Sequence, residues 1–286
     1  MIDLAGKVAI VTGAASFHGD PELPTHGQGS QSAVTLAELG ASVVLADRNG
    51  AAAEKRAQRI RDDGGRAIAV ETDVRDEDQI RRMVETAVGE FGRLDILHNN
   101  AANLDYLFDP GDPEVTNLSV DTWRAFTETM LLGSMLGCKH AIPAMLQSGG
   151  GSIICMSSSY AELGEINLTV YSTAKAGINQ LVRVVSSQWG KEGIRCNAVA
   201  PGLILSPVSA QLDDDILNEY ERASDTPYLG RPIDTVAVVA FLASDLARYV
   251  TGQVIRVDGG LTVRSPLASW QRERELQAAT ATEPHS

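Results

Sequence analysis

Hydrophobic and polar positions follow two alternating patterns along the chain. Short runs rich in β-branched residues, several apolar on both faces, indicate strands buried in a parallel sheet, and they span 7–11, 42–46, 67–70, 94–98, 152–156, 195–200 and 254–257. Apolar residues recur at helical spacing between them, at 30–39, 51–63, 77–91, 120–147, 170–191 and 235–243. The alternation predicts the α/β class: a doubly wound parallel sheet of about seven strands, with right-handed crossovers and helices on both faces in three layers.

Composition and charge favour one folded domain. The chain has 286 residues, and its hydrophobic content of 44% is enough for a full core. Since no repeat or low-complexity linker divides it, we predict one domain over 1–263 and a polar C-terminal extension over 264–286. The net charge of −13 argues against nucleic acid or an anionic membrane as the main partner.

The N-terminus and the cysteines bear on the compartment. The first residues lack the basic and apolar regions of a signal peptide, and no apolar run approaches the ~20 residues that span a bilayer, so we expect a cytoplasmic protein. Cys138, Cys155 and Cys196 lie in apolar or helical stretches, outside CxxC or Cys/His spacing. They are interpreted as buried reduced thiols, with metal ligation or catalysis as the less favoured alternative.

A tyrosine and a lysine four residues apart are the main candidates for catalysis. On a helix, Tyr171 and Lys175 would share one face. A nearby ammonium lowers the pKa of a phenol, which suits proton transfer to or from an alcohol. Ser158 follows a predicted buried strand, at the strand end where open α/β sheets bind their ligands.

Glycines and a carboxylate after the first two strands favour a dinucleotide. Gly13 follows the first strand, and a Gly-Gln-Gly stretch at 27–29 opens a helix whose free N–H groups suit a pyrophosphate. Asp47 ends the second strand, where a carboxylate accepts hydrogen bonds from the ribose hydroxyls and repels a 2′-phosphate. NAD is therefore favoured over NADP. Arg48 weakens that preference, because an arginine there can accommodate the phosphate.

Together these motifs resemble a short-chain dehydrogenase/reductase of the compact single-domain, Rossmann-type branch. The resemblance covers roughly residues 4–262. It rests on Thr12-Gly13 with Gly27-x-Gly29, Asp73-Val74, Asn99-Asn100-Ala101-Ala102, Ser158, Tyr171-x-x-x-Lys175, Pro201-Gly202 and Val257-Asp258-Gly259-Gly260, in this order.

The resemblance implies a role for each matching residue. Ser158 would hold the substrate oxygen, Tyr171 would act as acid/base, and Lys175 would lower the tyrosine pKa and bind the nicotinamide ribose. Asp73 and Val74 would flank the adenine, while the turn that ends at Ser206 would meet the carboxamide. The full set implied for the cofactor is Gly13, Gly27, Gln28, Gly29, Asp47, Arg48, Asp73, Val74, Asn99, Ala101, Tyr171, Lys175, Pro201, Gly202, Ile204 and Ser206, and no metal site is expected.

The chain departs from the family pattern in two places. Residues 17–26 are inserted in the glycine turn; they are interpreted either as a harmless bulge or as a lid over the cofactor or substrate. Met130 occupies a position where many relatives carry an asparagine that supports a water behind the lysine. Methionine cannot donate an amide hydrogen bond, so the proton path would use another group or activity would be low.

The sequence predicts an NAD-dependent enzyme that interconverts a secondary alcohol and a ketone. A mid-sized apolar or cyclic substrate is favoured by Met130, Leu131, Leu163, Leu203 and Leu205 near the expected pocket, with a mobile substrate lid over 206–231. The alternatives are a 3-oxoacyl-carrier reductase and a catalytically weak NAD-binding sensor or scaffold. Relatives commonly form dimers or tetramers through the two long helices, where small residues would permit close contact: Gly133, Ser134, Gly137 and Ala174.

Overall fold

A computed structural model describes residues 1–15, 27–103 and 111–265, together with 267, 268, 270–272, 274 and 275. The predicted insertion at 17–26 lies outside the described residues, as does most of the extension. Seven parallel strands form one sheet in the order β3-β2-β1-β4-β5-β6-β7. They are β1 (Val8–Thr12), β2 (Ser42–Asp47), β3 (Arg66–Glu71), β4 (Ile96–Asn99), β5 (Gly151–Met156), β6 (Ile194–Pro201) and β7 (Val254–Val257).

Helices cover both faces of the sheet, which confirms the predicted three-layer, doubly wound fold. Eight α-helices have both bounds within the described residues: α1 (Gln28–Glu38), α2 (Gly50–Asp62), α3 (Glu77–Phe91), α4 (Val120–Thr127), α5 (Gly133–Gln147), α6 (Thr169–Trp189), α7 (Asp214–Ala223) and α8 (Pro232–Ala243). One core contains buried residues of α3, α4, α5 and α6, and the other those of α1, α2 and α8. No described helix is long and apolar enough to cross a membrane.

The predicted helix over 120–147 is interrupted. A single π-helical turn, Glu128–Leu132, separates α4 from α5. The Ser134 hydroxyl donates to the Met130 carbonyl over 2.6 Å at this junction. A π-helical turn adds a residue to the turn and so rotates the following side chains relative to those of α4.

The small residues at the start of α5 face the protein interior, so our expectation that they allow contact between subunits is wrong. A Cβ on Gly133 would lie 3.1 Å from the Val74 side chain, and one on Gly137 would lie 2.4 Å from Asn99 Oδ1. Ser134 and Ala174 are also buried within the chain. These residues let α5 and α6 pack closely on their own sheet.

Candidate active site

One cleft of about 400 Å³ opens at the carboxyl ends of the strands. It lies where the strand order reverses between β1 and β4, the usual ligand position in open α/β sheets. The structure brings fifteen of the predicted site residues to its walls: Gly13, Gly27, Gln28, Gly29, Asp47, Arg48, Asp73, Val74, Ala101, Ser158, Tyr171, Lys175, Pro201, Gly202 and Ser206.

The glycines of the first turn serve two different purposes. Gly13 has φ +64°, and a Cβ there would lie 2.9 Å from Ala101 Cα. A Cβ on Gly29 would lie 2.1 Å from the Gly13 carbonyl oxygen, so both glycines are required by packing within the protein. For Gly27, no atom of the described residues lies within 4 Å of that position, although the residue lines the cleft. Within the described part of the chain, its backbone therefore leaves room for a ligand to approach.

The N-terminus of α1 fits an anionic group. Its N-cap residue, Gly27, provides no side-chain cap, and the first turn contains no acidic residue. The early N–H groups of a helix have no intrahelical partner, and they attract phosphate oxygens when they face a cleft. The pyrophosphate position predicted from the sequence lies at this helix N-terminus and stays a prediction.

Asp47 is fixed at the other side of this turn. Its carboxylate accepts the Ala15 N–H over 2.9 Å and the Asn49 N–H over 2.9 Å, one on each oxygen. Burial raises its pKa, while these two backbone hydrogen bonds oppose the rise. Each carboxylate oxygen retains acceptor capacity, which suits two vicinal ribose hydroxyls.

An ion pair lies on the cleft wall just after β3. Arg75 donates to both carboxylate oxygens of Asp73, and these hydrogen bonds lower the Asp73 pKa. The Gln79 side chain accepts the Asp73 backbone N–H over 2.9 Å. Asp73 is thus held as a carboxylate on the cleft wall, beside Val74.

Ser158, Tyr171 and Lys175 line the opposite end of the cleft. The Lys175 ammonium lies 5.6 Å from the centre of the Tyr171 ring and donates to the Met156 carbonyl over 2.7 Å. Lys175 is only 2% exposed, and burial lowers its pKa to about 8. The three side chains predicted for catalysis thus line one cleft.

The two neighbouring serines have separate environments. The Ser158 hydroxyl accepts the Tyr160 N–H over 3.2 Å and lines the cleft. Ser157 also lines the cleft, but its hydroxyl donates to Asn179 Oδ1 over 2.6 Å and ties the end of β5 to α6. The choice of Ser158 as the substrate-facing serine stays a prediction.

Known proteins match nearly the whole chain. Residues 24–262 match a family model described as enoyl-(acyl carrier protein) reductase. A probable short-chain type dehydrogenase/reductase from Bradyrhizobium diazoefficiens is 39% identical over 262 residues, which cover 91% of this chain and 89% of that protein. The chain belongs to the short-chain dehydrogenase/reductase family.

Two further members of this family are similar over the same span. Cis-4-hydroxycyclohexanecarboxylate dehydrogenase from Sinomonas cyclohexanicum is 40% identical over 258 residues, with 90% of this chain and 97% of that protein covered. A solved 7α-hydroxysteroid dehydrogenase, in complex with NADH and 7-oxo glycochenodeoxycholic acid, aligns with a TM-score of 0.81. It is 32% identical, and the alignment covers 91% of this chain and 95% of that structure.

Sequence reasoning missed the residue that holds the N-terminus of α6 in this short-chain dehydrogenase/reductase. Asp112 is buried, and its carboxylate accepts the N–H groups of Val170 (2.8 Å) and Tyr171 (2.9 Å). The Asp112 carbonyl accepts the Leu168 N–H over 3.0 Å. Leu168 itself has φ +65°, which turns the chain into the helix. The backbone of the predicted acid/base is thus fixed by a distant carboxylate.

A second missed group joins the loop after β4 to the glycine turn. The Asn100 amide donates to the Thr12 carbonyl over 2.9 Å. The Thr12 hydroxyl accepts the N–H groups of Asn100 and Ala101, over 3.0 and 3.1 Å. The resemblance implies only that the stretch from Asn99 to Ala101 lines the cofactor, and Asn100 does line the cleft, but these contacts with Thr12 were not predicted.

Two residues predicted for the cofactor do not line the described cleft. Asn99 is buried, and its amide donates to the Ser134 carbonyl over 3.1 Å. Ile204 is buried and pairs with Gly230 in a short bridge, while its carbonyl accepts the Ser209 hydroxyl. The Asn99 side chain supports the sheet-to-α5 contact, and Ile204 supports the base of the 206–231 segment.

The apolar residues on which we based the substrate prediction do not line this cleft either. Met130 is 0% exposed and belongs to the core beneath α4 and α6. The apolar wall among the described residues is formed instead by Val74, Ala101, Ala102, Ala125, Met156, Pro201 and Val208. For Met130 and Leu131 the error has a physical reason: the π-helical turn Glu128–Leu132 changes which side of the helix faces the cleft.

Proposed function

We propose that this protein is an NAD-dependent oxidoreductase that interconverts a secondary alcohol and its ketone. One observation carries the proposal. A single cleft joins the Asp47 carboxylate and the uncapped N-terminus of α1 at one end to Ser158, Tyr171 and Lys175 at the other. Similarity to dehydrogenases that act on hydroxyl groups supports the reaction class.

The preference for NAD rests on charge. The Asp47 carboxylate offers acceptors to ribose hydroxyls and repels a phosphate at the 2′ position. Because two backbone N–H groups hold it in place, the carboxylate cannot turn away without losing both hydrogen bonds. Arg48 also lines the cleft, and its positive charge opposes the preference for NAD because an arginine there can accommodate the 2′-phosphate of NADP.

The described residues account for proton transfer. Ser158 donates a hydrogen bond to the reacting oxygen of the substrate. Tyr171 accepts the proton of the substrate hydroxyl during oxidation and donates a proton to the carbonyl oxygen during reduction. Lys175 favours the phenolate through its positive charge. Bound NAD would supply the hydride acceptor at the nicotinamide ring. Asp112 and the Met156 carbonyl orient the tyrosine backbone and the lysine ammonium, respectively.

A cyclic or otherwise apolar secondary alcohol is the favoured substrate. Alanine, valine and methionine side chains form much of the wall between the cofactor end and Tyr171. A cyclohexanecarboxylate and a steroid are the ring compounds named for two similar proteins. We keep a homodimer or homotetramer as the proposed assembly, with the outer faces of α4, α5 and α6 carrying exposed Val120, Trp123, Met135 and Val184.

The test is reduction of NAD across a panel of cyclic and linear secondary alcohols. We expect turnover with at least one ring alcohol, and a loss of about 10²–10⁴-fold in kcat for Tyr171→Phe, the contribution of a positioned acid/base. Tyr171→Phe keeps the ring, so NAD binding measured by fluorescence titration should persist. Tight NAD binding without turnover on any alcohol or ketone would favour the sensor reading instead.

A matched pair of variants tests the cofactor. Asp47→Asn keeps the shape but removes the charge, and it should raise kcat/KM with NADP while lowering it with NAD. Glu71→Gln, on the neighbouring strand end, removes the same charge away from the Asp47 hydrogen bonds and should leave the ratio unchanged. An unaltered NAD/NADP ratio in Asp47→Asn would contradict the assignment.

The second candidate is an acyl-carrier reductase, favoured by the description of the matching family model. Such an enzyme must dock an acidic carrier, and the net charge of −13 opposes that contact. NADPH oxidation with a 3-oxoacyl or enoyl thioester distinguishes the two. Turnover there, with none on secondary alcohols, would replace our proposal.

A further inference from the structure

All three cysteines of the chain meet at one point behind the cleft. Cys138 lies on α5, Cys155 on β5 and Cys196 on β6, and their sulfur atoms lie within 4.8 Å of one another. They are free and buried, with exposures of 3%, 0% and 0%, which confirms the expected burial. Their convergence could not be expected from spacing.

The sheet register explains how the three thiols meet. Cys196 pairs with Ile153, two residues before Cys155 on the adjacent strand. Side chains two apart on a strand share a face, so Cys155 and Cys196 project on the same side of the sheet. That side is covered by α5, whose Cys138 completes the triangle. The three ligand atoms are therefore carried by regular elements rather than by loops.

One amide donor faces two of the three sulfurs. Asn99 Nδ2 lies 3.8 Å from the sulfurs of both Cys138 and Cys155. Contacts with Cys138 and Cys196 lower the pKa of the Cys155 thiol, whereas the same mutual contacts, together with burial, raise the pKa of Cys138 and Cys196, so the three sulfurs share their protons unequally. An amide donor shared by two ligand sulfurs is the kind of outer contact that orients metal ligands.

We propose that Cys138, Cys155 and Cys196 form a three-coordinate thiolate site for a single soft monovalent cation, Cu(I). Metal–sulfur bonds of about 2.3 Å place three planar ligand sulfurs about 4 Å apart, so contraction of less than about 1 Å suffices. Soft thiolates select Cu(I), whereas a structural zinc site needs four protein ligands. No histidine or carboxylate from the described part of the chain joins the group.

Binding at this site changes no oxidation state. Copper enters as Cu(I) and remains Cu(I), and each thiol that becomes a ligand releases its proton to solvent. Affinity must therefore fall as the pH falls.

The test is anaerobic titration of the full chain with Cu(I) held by bicinchoninate, a coloured competitor. One Cu(I) should transfer to each chain. The affinity for Cu(I) should fall at least about 100-fold in each of three variants, Cys138→Ala, Cys155→Ala and Cys196→Ala. Loss of a contact that only orients a metal ligand already lowers metal affinity by up to about that factor, and loss of the ligand itself should cost no less. Met145→Leu is the control: it removes a buried thioether of the same core and should bind normally. No transfer, or transfer that survives the three cysteine variants, overturns the proposal.

X-ray absorption of the Cu(I)-loaded native protein gives a result that does not depend on any variant folding. Three sulfur neighbours at about 2.3 Å are expected. Two sulfurs, or nitrogen and oxygen neighbours, contradict the three-thiolate site. In a parallel titration, Zn(II) should bind far more weakly than Cu(I). Tight binding of one Zn(II) per chain would contradict the assignment to a monovalent cation.

Discussion

Helices α6 and α7 form two sides of the same functional region but are held in different ways. Helix α6 buries seven residues, including Lys175, and the Asp112 carboxylate holds its first N–H groups. Helix α7 buries none, and its N-cap residue, Asp213, makes no side-chain cap. The groups proposed for proton transfer are thus fixed by the core, whereas the segment proposed as the lid depends on a few polar contacts.

Those polar contacts lie mainly at the base of the 206–231 segment. The Leu205 N–H donates to the Gly230 carbonyl over 2.7 Å, and the Asp225 N–H donates to the Gly259 carbonyl over 2.7 Å. Between these points, the Tyr220 hydroxyl meets the Tyr160 hydroxyl close to the serine loop. Segments with little buried apolar surface open at low free-energy cost, so α7 is suited to admit substrate.

The sharpest test of the fixed side uses the two adjacent serines. Ser158→Ala should lower kcat by about 10²–10³-fold, the usual loss when one donor to a reacting oxygen is removed. Ser157→Ala should instead destabilise the fold by about 1–2 kcal/mol, because it breaks the hydrogen bond to Asn179. Steady-state kinetics and chemical denaturation of both variants measure this division.

Each serine variant is the control for the other. A loss of kcat in Ser157→Ala as large as in Ser158→Ala, at equal folded fraction, would contradict the separation between a substrate-facing and a structural serine.

Asp112 should show the next largest effect. Asp112→Ala leaves two N–H groups of α6 without their partner and should cost about 2–3 kcal/mol in the free energy of unfolding. Asp112→Asn keeps one acceptor oxygen and should cost less. Because Tyr171 moves with its helix end, kcat should fall about tenfold or more while KM stays close to normal. Denaturation and steady-state kinetics measure both effects.

Asp121→Ala is the matched control for Asp112, since Asp121 is an exposed carboxylate in the first turn of α4. An Asp112→Ala protein that is destabilised but has unchanged kcat would assign Asp112 to folding alone.

The pH profile tests whether burial in the core lowers the pKa of the Lys175 ammonium. Its folded pKa, about 8, lies below the ordinary 10.5 because of burial. Activity that needs the ammonium should therefore decline as the pH rises through about 8, seen as the alkaline limb of kcat/KM. Stability has the opposite sign, since the unfolded chain binds more protons between about 8 and 10.5, and this contribution rises with pH across that window.

Measurements of kcat/KM and of unfolding free energy from pH 6 to 10 check both trends. An alkaline limb near the ordinary lysine pKa, or stability that falls across the same window because of this group, would contradict the buried ammonium. The substrate chosen must carry no group that titrates in this range.

Local patterns were enough to predict the sheet and much of the cleft. The strands, the glycine turn, Asp47 and the Ser158–Tyr171–Lys175 set each depend on residues close in sequence or on period-two and helical spacing. Asp112 could not be found this way, because it contacts backbone 58 residues away and belongs to no motif. The thiol cluster likewise needs the register of β5 against β6 and the packing of α5 above them.

Met130 illustrates a different failure. Helical periodicity over 120–147 correctly predicts helix but assumes one constant phase. A single π-helical turn at Glu128–Leu132 breaks that phase, so residues after Trp123 could not be assigned to the cleft by counting.

The smallest expected effect tests the loosely held side. Burial raises the pKa of both Tyr160 and Tyr220, so each hydroxyl keeps its proton and one donates to the other. Tyr220→Phe keeps the ring and removes this contact, which should cost at most about 1 kcal/mol in unfolding free energy. KM for a ring alcohol should change a few-fold while kcat holds. Tyr160→Phe should lower the unfolding free energy by a similar amount. The double variant should be little less stable than either single variant, which corresponds to a coupling energy between the two hydroxyls of about 0.5–1 kcal/mol, measured by denaturation. Fully additive effects would mean that the two hydroxyls do not hold α7 to the serine loop, and the contrast with α6 would then rest on burial alone.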